Sequence, residues 1–267
     1  MPISCPVAVR PIHQEEFAQI DYHVMRHAFA SQSELGRLCD EVIYQNDLAA
    51  RLSAAGLSPV RKEVPLTVTY RDFEKIYSLD LVVGDAAIYE LKTAESFVGA
   101  HEAQLLNYLF LRGVHHGKLV NFRPPQVESR FVNTNLTLQR RREFSVDTQR
   151  WKENDDGSPI LRTNLVGMLE DWGGFLDVSL YTEALTHFLG GEQKVIQMVA
   201  LTRAGVPLGN QRVHLLNPET GFRLTALSEG AENYEPHLRL LVRHSPLRAI
   251  HWINLARHRI HFVTLLK

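Results

Sequence analysis

The stretch SLDLVVGDAAIYELKTAE, residues 78–95, decides the fold of this chain because it places three charged side chains inside an apolar hairpin. Asp80 has apolar neighbours on both sides, and Glu90 and Lys92 bracket Leu91. Charged side chains are rarely buried unless they are paired or bound to something. The hairpin therefore predicts a compensating partner for these three charges.

Composition and charge restrict the class of protein. The chain has 267 residues, of which 45% are apolar and 22% charged, with a net charge of −1. Because this charge is near zero, nucleic-acid binding requires a local basic patch. Two cysteines are too few for a disulfide framework or a four-cysteine iron–sulfur cluster. No apolar run reaches the roughly 18–20 residues of a membrane helix, and the N-terminus lacks the apolar core of a signal peptide. We expect a cytoplasmic protein with no membrane partner.

Hydrophobic periodicity predicts a compact α/β unit over residues 14–125. Its elements are predicted as a helical region over 14–56, strands over 63–71, 75–83 and 86–92, a helix over 99–113 and a strand over 116–122. The order is helix, three strands, helix and strand. A strand flanked by apolar residues on both faces is typical of the centre of a covered sheet.

The remainder of the chain has a different character. Residues 126–159 are predicted as a basic connecting segment, and residues 160–267 as a C-terminal α/β accessory region of unknown role. The connecting segment contains Arg140, Arg141 and Arg142, which are candidates for phosphate contacts or, alternatively, a solvated basic cluster. The accessory region is expected to pack on the first unit or on a second copy, so a homo-oligomer through this region is an alternative.

The length of the hairpin loop decides which side chains meet. Glu90 and Lys92 share one face of their strand because side chains alternate. A loop with an odd number of residues, such as 84–86, places Asp80 opposite Glu90, whereas a two-residue loop places them on opposite faces. Two adjacent carboxylates repel each other, and a hard divalent cation relieves the repulsion. With Lys92 to orient or deprotonate a water, the set suits metal-assisted phosphodiester hydrolysis; a buried structural ion pair is the alternative.

Asp80 followed by Glu90-Leu91-Lys92 resembles the D…(D/E)xK signature of the PD-(D/E)XK nuclease superfamily. The proline that precedes the aspartate in the name of the superfamily is Leu79 here. The resemblance implies a restriction-endonuclease-like core, a central mixed sheet flanked by helices, with a C-terminal α/β extension. It also implies Mg²⁺ or Mn²⁺ held by Asp80 and Glu90, with the Leu91 carbonyl oxygen as a further ligand.

Two helical motifs extend the resemblance. Gln104 and Tyr108 resemble the QxxxY motif of the RecB and lambda-exonuclease branch, and their spacing puts both on one helical face. Glu41 and Tyr44 resemble the motif of the GxxExxY proteins, although Leu38 replaces the glycine three residues before the glutamate. The resemblance implies that Glu41 supports the metal, as an extra ligand or through water. It implies that Gln104 and Tyr108 position the scissile strand.

The sequence therefore predicts a divalent-metal-dependent nuclease whose partner is nucleic acid, with DNA as the expected substrate. Two alternatives stay open. In the first, the chain binds nucleic acid without catalysis and keeps the fold as a scaffold. In the second, it is an assembly module in which the C-terminal region builds an oligomer. The combination of Asp80, Glu90 and Lys92 favours the enzyme, since a scaffold has no chemical need for all three.

Overall fold

The computed structural model describes residues 2–153 and 155–267. The chain divides into two units, Met1–Thr69 with Glu74–Leu138, and Tyr70–Phe73 with Gln139–Lys267. The strands form two six-stranded sheets, one following the other along the chain. Both sheets are mixed and flanked by helices, which confirms the predicted fold class.

The described residues of the first unit form one six-stranded sheet and three helices. Its elements are β1 Ile3–Ser4, α1 Gln14–Leu35, α2 Glu41–Ala54, β2 Val60–Tyr70, β3 Phe73–Val83, β4 Ala87–Lys92, α3 Gly99–Arg112, β5 His116–Asn121 and β6 Glu128–Asn133. The strands lie in the order β1-β2-β3-β4-β5-β6. Strands β4 and β5 are parallel, and α3 is the crossover between them. Strand β4 is therefore central in the sheet.

The β3–β4 hairpin has the register that the odd loop predicts. Leu81 pairs with Tyr89 and Val83 pairs with Ala87, which leaves a three-residue turn over 84–86. Continuing this register by one pair places Asp80 opposite Glu90. The two carboxylates therefore lie on the same face of the sheet.

The predicted helical region over 14–56 is two helices rather than one. Helix α1 ends before Gly36, which has a φ of 72°. This left-handed conformation favours glycine. The hydroxyl of Tyr44 donates a hydrogen bond of 2.6 Å to the Gly36 carbonyl oxygen, and the Cys39 N–H donates to the same hydroxyl at 3.3 Å. These bonds fix the turn between α1 and α2, so that Glu41 is the first residue of α2.

The second unit has its own sheet and core. Its elements are α4 Leu138–Arg142, β7 Ser145–Arg150, α5 Gly157–Trp172, α6 Val178–Phe188, α7 Glu192–Val195, β8 Ile196–Arg203, β9 Val206–Asn217, β10 Thr220–Thr225, α8 Ala231–Arg243, β11 Ala249–Ala256 and β12 Arg259–Leu266. The strand order is β7-β12-β11-β10-β9-β8. The predicted terminal pair of strands is the β11–β12 hairpin.

The structure corrects the predicted domain boundaries. The segment predicted as a connector over 126–159 is divided between the two sheets, because β6 pairs with β5 and β7 pairs in parallel with β12. The pairing of β7 with β12 spans more than a hundred residues and has no local signal, whereas β5 and β6 are consecutive strands. None of the helices in the described part of the chain has both the length and the apolar character needed to cross a bilayer.

Candidate catalytic site

Asp80, Glu90 and Lys92 meet at the end of β4. The Lys92 Nζ atom lies 2.7 Å from Glu90 Oε1 and 3.9 Å from Asp80 Oδ2. Asp80 Oδ2 also accepts a hydrogen bond of 2.8 Å from the backbone N–H of Leu91. The three predicted side chains therefore form one cluster in which a single ammonium group faces two carboxylates.

Glu90 is the most buried member of the cluster. Its exposed fraction is 0%, and its Oε2 atom is buried with no hydrogen-bond partner among the described residues. Burial, followed by the nearby Asp80 carboxylate, raises the pKa of Glu90, and Lys92 only partly opposes this. An orphaned carboxylate oxygen at this depth costs free energy unless something binds it. Glu90 therefore has one satisfied oxygen and one that points to a missing partner.

Burial and neighbouring charges also act in opposite directions on the pKa values of Asp80 and Lys92. Burial raises the pKa of Asp80, while the Leu91 N–H and Lys92 act to lower it. For Lys92, burial lowers the pKa, but the carboxylates of Glu90, Asp80 and Glu41 outweigh it, so the pKa is raised. Lys92 is thus a stable cation, and the two carboxylates compete for its single charge.

Glu41 approaches this cluster from the first residue of α2. Its Oε1 atom lies 4.0 Å from Lys92 Nζ, and burial raises the pKa of its carboxyl, which the charge of Lys92 only partly opposes. Within residues 2–153 and 155–267, no group of three or more His, Cys, Asp and Glu side chains is arranged to hold a metal ion. Glu41 is therefore not part of a three-carboxylate ligand group with Asp80 and Glu90. Of its two predicted roles, this geometry favours the one through water.

The tyrosine of the same motif has a structural role. Tyr44 is fully buried and its ring stacks on Phe122, with centroids 4.4 Å apart and an interplanar angle of 6°. Its hydroxyl bonds the α1–α2 turn as described above. The motif thus combines a carboxylate at the start of α2 with a buried tyrosine one turn later that fixes where the helix starts.

Gln104 and Tyr108 lie on the side of α3 that faces the carboxylates. The Gln104 side-chain amide donates a hydrogen bond of 3.0 Å to the Tyr108 hydroxyl. Burial raises the pKa of Tyr108, with smaller contributions from the charges of Glu90 and Asp80. The predicted pair is therefore placed beside the cluster, whereas its contact with a nucleic-acid strand stays a prediction.

Two polar residues near the cluster were not predicted from the sequence. Gln45 is 4% exposed and its amide donates to the Asp80 backbone oxygen at 2.9 Å and to Glu63 Oε1 at 2.5 Å. Glu63 also accepts from Ser78 Oγ at 2.6 Å and has an unusual φ of 48° for a residue with a side chain. No sequence motif marks them; the only signal is that Gln45 follows Glu41 by one helical turn. Together they connect α2 to β3 at Asp80.

The predicted phosphate-binding cluster of arginines is only partly accessible. Arg141 is 1% exposed, and its Nη1 atom donates to the carbonyl oxygens of Trp172 and Gly174, each at 3.0 Å. Arg141 is a structural residue, which corrects that part of the prediction. Arg140 and Arg142 are exposed, and each lies near a carboxylate, Glu143 and Asp171 respectively.

Comparison with known proteins supports the superfamily that the site suggests. A family model described as the PD-(D/E)XK nuclease superfamily matches residues 18–132, a segment that contains the whole cluster. Members of this superfamily are typically nucleases, and they generally use divalent metals such as Mg²⁺ or Mn²⁺. No curated protein and no solved structure matches the chain.

Proposed function

We propose that this protein is a divalent-metal-dependent nuclease that hydrolyses phosphodiester bonds of nucleic acid, with DNA as its substrate. The motifs at Glu41 and Gln104 support an assignment to the GxxExxY group with a QxxxY motif. Cys5 and Cys39 are both free thiols, which is typical of proteins from reducing compartments and supports a cytoplasmic location.

The observation that carries this proposal is the buried Glu90 carboxylate with one oxygen unpartnered. A purely structural ion pair with Lys92 satisfies only the other oxygen. A second carboxylate, Asp80, faces the same ammonium. Buried charges are expected to be paired and hydrogen-bonded, so this mismatch is relieved by a proton on Glu90, which its raised pKa favours, or by an additional positive ligand.

The residues present fit a hard divalent cation. Asp80 and Glu90 supply two carboxylates, the number that Mg²⁺ typically takes from a protein while it retains several waters. The Leu91 carbonyl is a candidate for a further ligand, and Glu41 for support through water. A bound cation at such a site supplies Lewis acidity toward a phosphoryl oxygen and lowers the pKa of a bound water.

The chain's own residues would carry the remaining tasks. Lys92 positions the attacking water and, as a stable cation, stabilises the negative charge that develops on the phosphate. Gln104 and Tyr108 offer an amide and a hydroxyl that hold the scissile strand. Gln45 and Glu63 keep Asp80 in register with α2.

The proposal is tested by incubating purified protein with end-labelled single- and double-stranded DNA and RNA while Mg²⁺ or Mn²⁺ is titrated. We expect cleavage that depends on the metal and falls by about 10²–10⁴-fold in Lys92→Ala. The matched control is Lys62→Ala, which removes an exposed lysine of β2. Equal cleavage by the wild type and Lys92→Ala would contradict the proposal.

The same preparations separate the two alternatives. A catalytically silent binder shows nucleic-acid affinity with a steep salt dependence and no turnover with any metal. An assembly module shows a stable oligomer in light scattering and no affinity for DNA or RNA.

A further inference from the structure

Two arginines, Arg37 and Arg123, lie beside the candidate catalytic site. Arg37 belongs to the turn between α1 and α2, and Arg123 follows β5. Arg123 Nη1 donates to the Arg37 carbonyl oxygen at 3.0 Å, and Arg37 Nη1 donates to the Arg123 carbonyl oxygen at 3.4 Å. Among the described residues, neither guanidinium forms an ion pair with a carboxylate. Two full positive charges are therefore held together and left uncompensated.

Thr93 connects these arginines to the catalytic cluster. It follows Lys92 directly, and Lys92 Nζ lies 4.0 Å from Glu41 Oε1. Its carbonyl oxygen accepts a hydrogen bond of 3.3 Å from Arg123 Nε. The Arg123 guanidinium is therefore hydrogen-bonded to the backbone of the residue that directly follows Lys92.

The position of Arg123 relative to Lys92 is fixed by a buried asparagine. Asn121 is fully buried, accepts from the Ala94 N–H at 3.1 Å and donates to the Ala94 carbonyl oxygen at 2.7 Å. The N–H of Arg123 also donates to the Asn121 side chain at 3.2 Å. The segment after Lys92 is therefore tied on both sides to the segment that carries Arg123.

Other arginines of the first unit form ion pairs with carboxylates. Arg51 pairs with Glu34 and Asp47, Arg61 with Asp85, and Arg130 with Glu102. Within the part of the chain that the structure describes, Arg37 and Arg123 donate only to carbonyl oxygens, so further N–H groups of each planar fork can bind an anion. A guanidinium fork matches phosphate oxygens in a bidentate manner.

We propose that Arg37 and Arg123 bind one backbone phosphate of the nucleic-acid strand next to the phosphate that is cleaved. This inference rests on the proposed function and adds the residues that set the position of the strand. It places the phosphate contacts of the first unit beside Glu41 and Lys92, rather than at the basic cluster that the sequence favours.

The test is the salt dependence of binding, because releasing one phosphate contact changes the slope and a lost structural contact does not. Binding of fluorescently labelled single- and double-stranded DNA is measured by anisotropy over a range of salt concentrations, in EDTA and again in Ca²⁺. We expect Arg37→Gln and Arg123→Gln each to reduce the slope of log K against log salt by about 0.7–0.9 and to raise Kd about tenfold. Arg61→Gln is the matched control and should leave the slope unchanged.

The outcomes distinguish this inference from the proposed function. Slopes that stay at the wild-type value in both variants overturn it, as does a wild-type protein that binds no DNA in either condition. If Arg123→Gln does not fold, the exposed Arg37 carries the test, with Arg123→Lys expected to fold, to keep the slope and to lose affinity. A further outcome is that the wild type binds with the expected slope while no divalent metal supports cleavage. That result overturns the proposed function and leaves the phosphate contact supported.

Discussion

Asp80 lies opposite Glu90 in the β3–β4 hairpin. The substitution Asp80→Asn removes the charge of this side chain and keeps its shape, so it tests the role of the charge alone. Asp80→Asn retains an oxygen that accepts from the Leu91 N–H and removes one of the two proposed metal ligands. In wild type, Mn²⁺ at 100 times its Kd should stabilise the fold by about 2.7 kcal/mol. We expect Asp80→Asn to lose this stabilisation while its metal-free stability changes by less than about 1 kcal/mol, as measured by thermal unfolding.

The control for this prediction is Asp85→Asn in the same hairpin. Asp85 lies in the turn and pairs with Arg61, away from the cluster. Its variant should respond to Mn²⁺ like the wild type. A thermal shift of equal size in wild type and Asp80→Asn would show that the metal does not bind at Asp80.

His251 provides a pH-dependent contribution in the second unit. It is fully buried between Ser158 and Thr264, with hydrogen bonds of 2.8 Å and 3.1 Å, and Trp151 packs on its ring. Burial lowers the pKa of His251 to about 4, although Asp155 opposes the shift. The folded state thus holds a neutral imidazole that the unfolded chain protonates below about pH 6.5.

We therefore expect unfolding to become easier as pH falls from about 6.5 to about 4. Since the unfolded state binds more protons in this window, His251 removes up to about 1.4 kcal/mol of stability for each pH unit. Urea unfolding followed by tryptophan fluorescence at pH 7 and pH 5 measures the loss, and His251→Gln should show a smaller one. The same loss in both proteins would assign the pH dependence to other groups.

At the scale of elements, the start of α2 is the feature that sequence periodicity misses. The apolar spacing continues through 14–56, so it predicts one helical region, whereas Gly36 and the Tyr44 hydroxyl divide it. Tyr44→Phe removes one hydroxyl that both donates and accepts in the turn. We expect a loss of about 1–3 kcal/mol in stability, because the Gly36 carbonyl and Cys39 N–H lose their partner.

This variant should also lower the proposed nuclease activity, since Glu41 depends on the turn for its position. The matched control is Tyr22→Phe, in which the hydroxyl of a residue that is 69% exposed is removed. Urea titration of the two variants gives the comparison. Equal stability of Tyr44→Phe and the wild type would mean that the turn does not depend on this hydroxyl.

The β3–β4 hairpin shows which parts of the site are predictable. A turn with Gly84 and Asp85 between two apolar runs is a local signal, and it predicts the hairpin. The convergence of Asp80 with Glu90 depends on the number of loop residues, which this signal leaves open, and the structure has the three-residue turn that brings them together. The contributions of Gln45 and Arg123 do not follow, because they depend on which segments pack beside this hairpin. Tertiary contacts of this kind carry no periodicity in the sequence.

At the scale of the whole molecule, sequence composition indicates a second region but does not show which strand pairs with which. The change in composition after residue 122 indicates a second region. The pairing of β7 with β12 crosses more than a hundred residues, and the pairing of β6 with β5 extends the first unit to Leu138. The β7–β12 pairing has no local turn that would predict it, whereas β5 and β6 are consecutive strands joined by the short connection over residues 122–127.

Each unit buries a separate hydrophobic core, so a ligand of one unit should stabilise that unit first. Residues such as Leu81 and Val120 form the core of the first unit, and residues such as Val242 and Ile253 are buried in the second. All three tryptophans, Trp151, Trp172 and Trp252, belong to the second unit. Tryptophan fluorescence therefore reports unfolding of the second unit only.

We expect Mn²⁺ to slow amide hydrogen exchange in β4 and β5, because a ligand that binds only the folded state lowers the population of locally open states. Exchange in β11 and β12, and the urea midpoint followed by tryptophan fluorescence, should stay unchanged. Asp80→Asn should abolish the effect on β4 and β5. If Mn²⁺ instead raises the fluorescence midpoint as much as it slows exchange in the first sheet, the two units unfold as one cooperative structure, and the stabilisation by metal spreads over the whole chain.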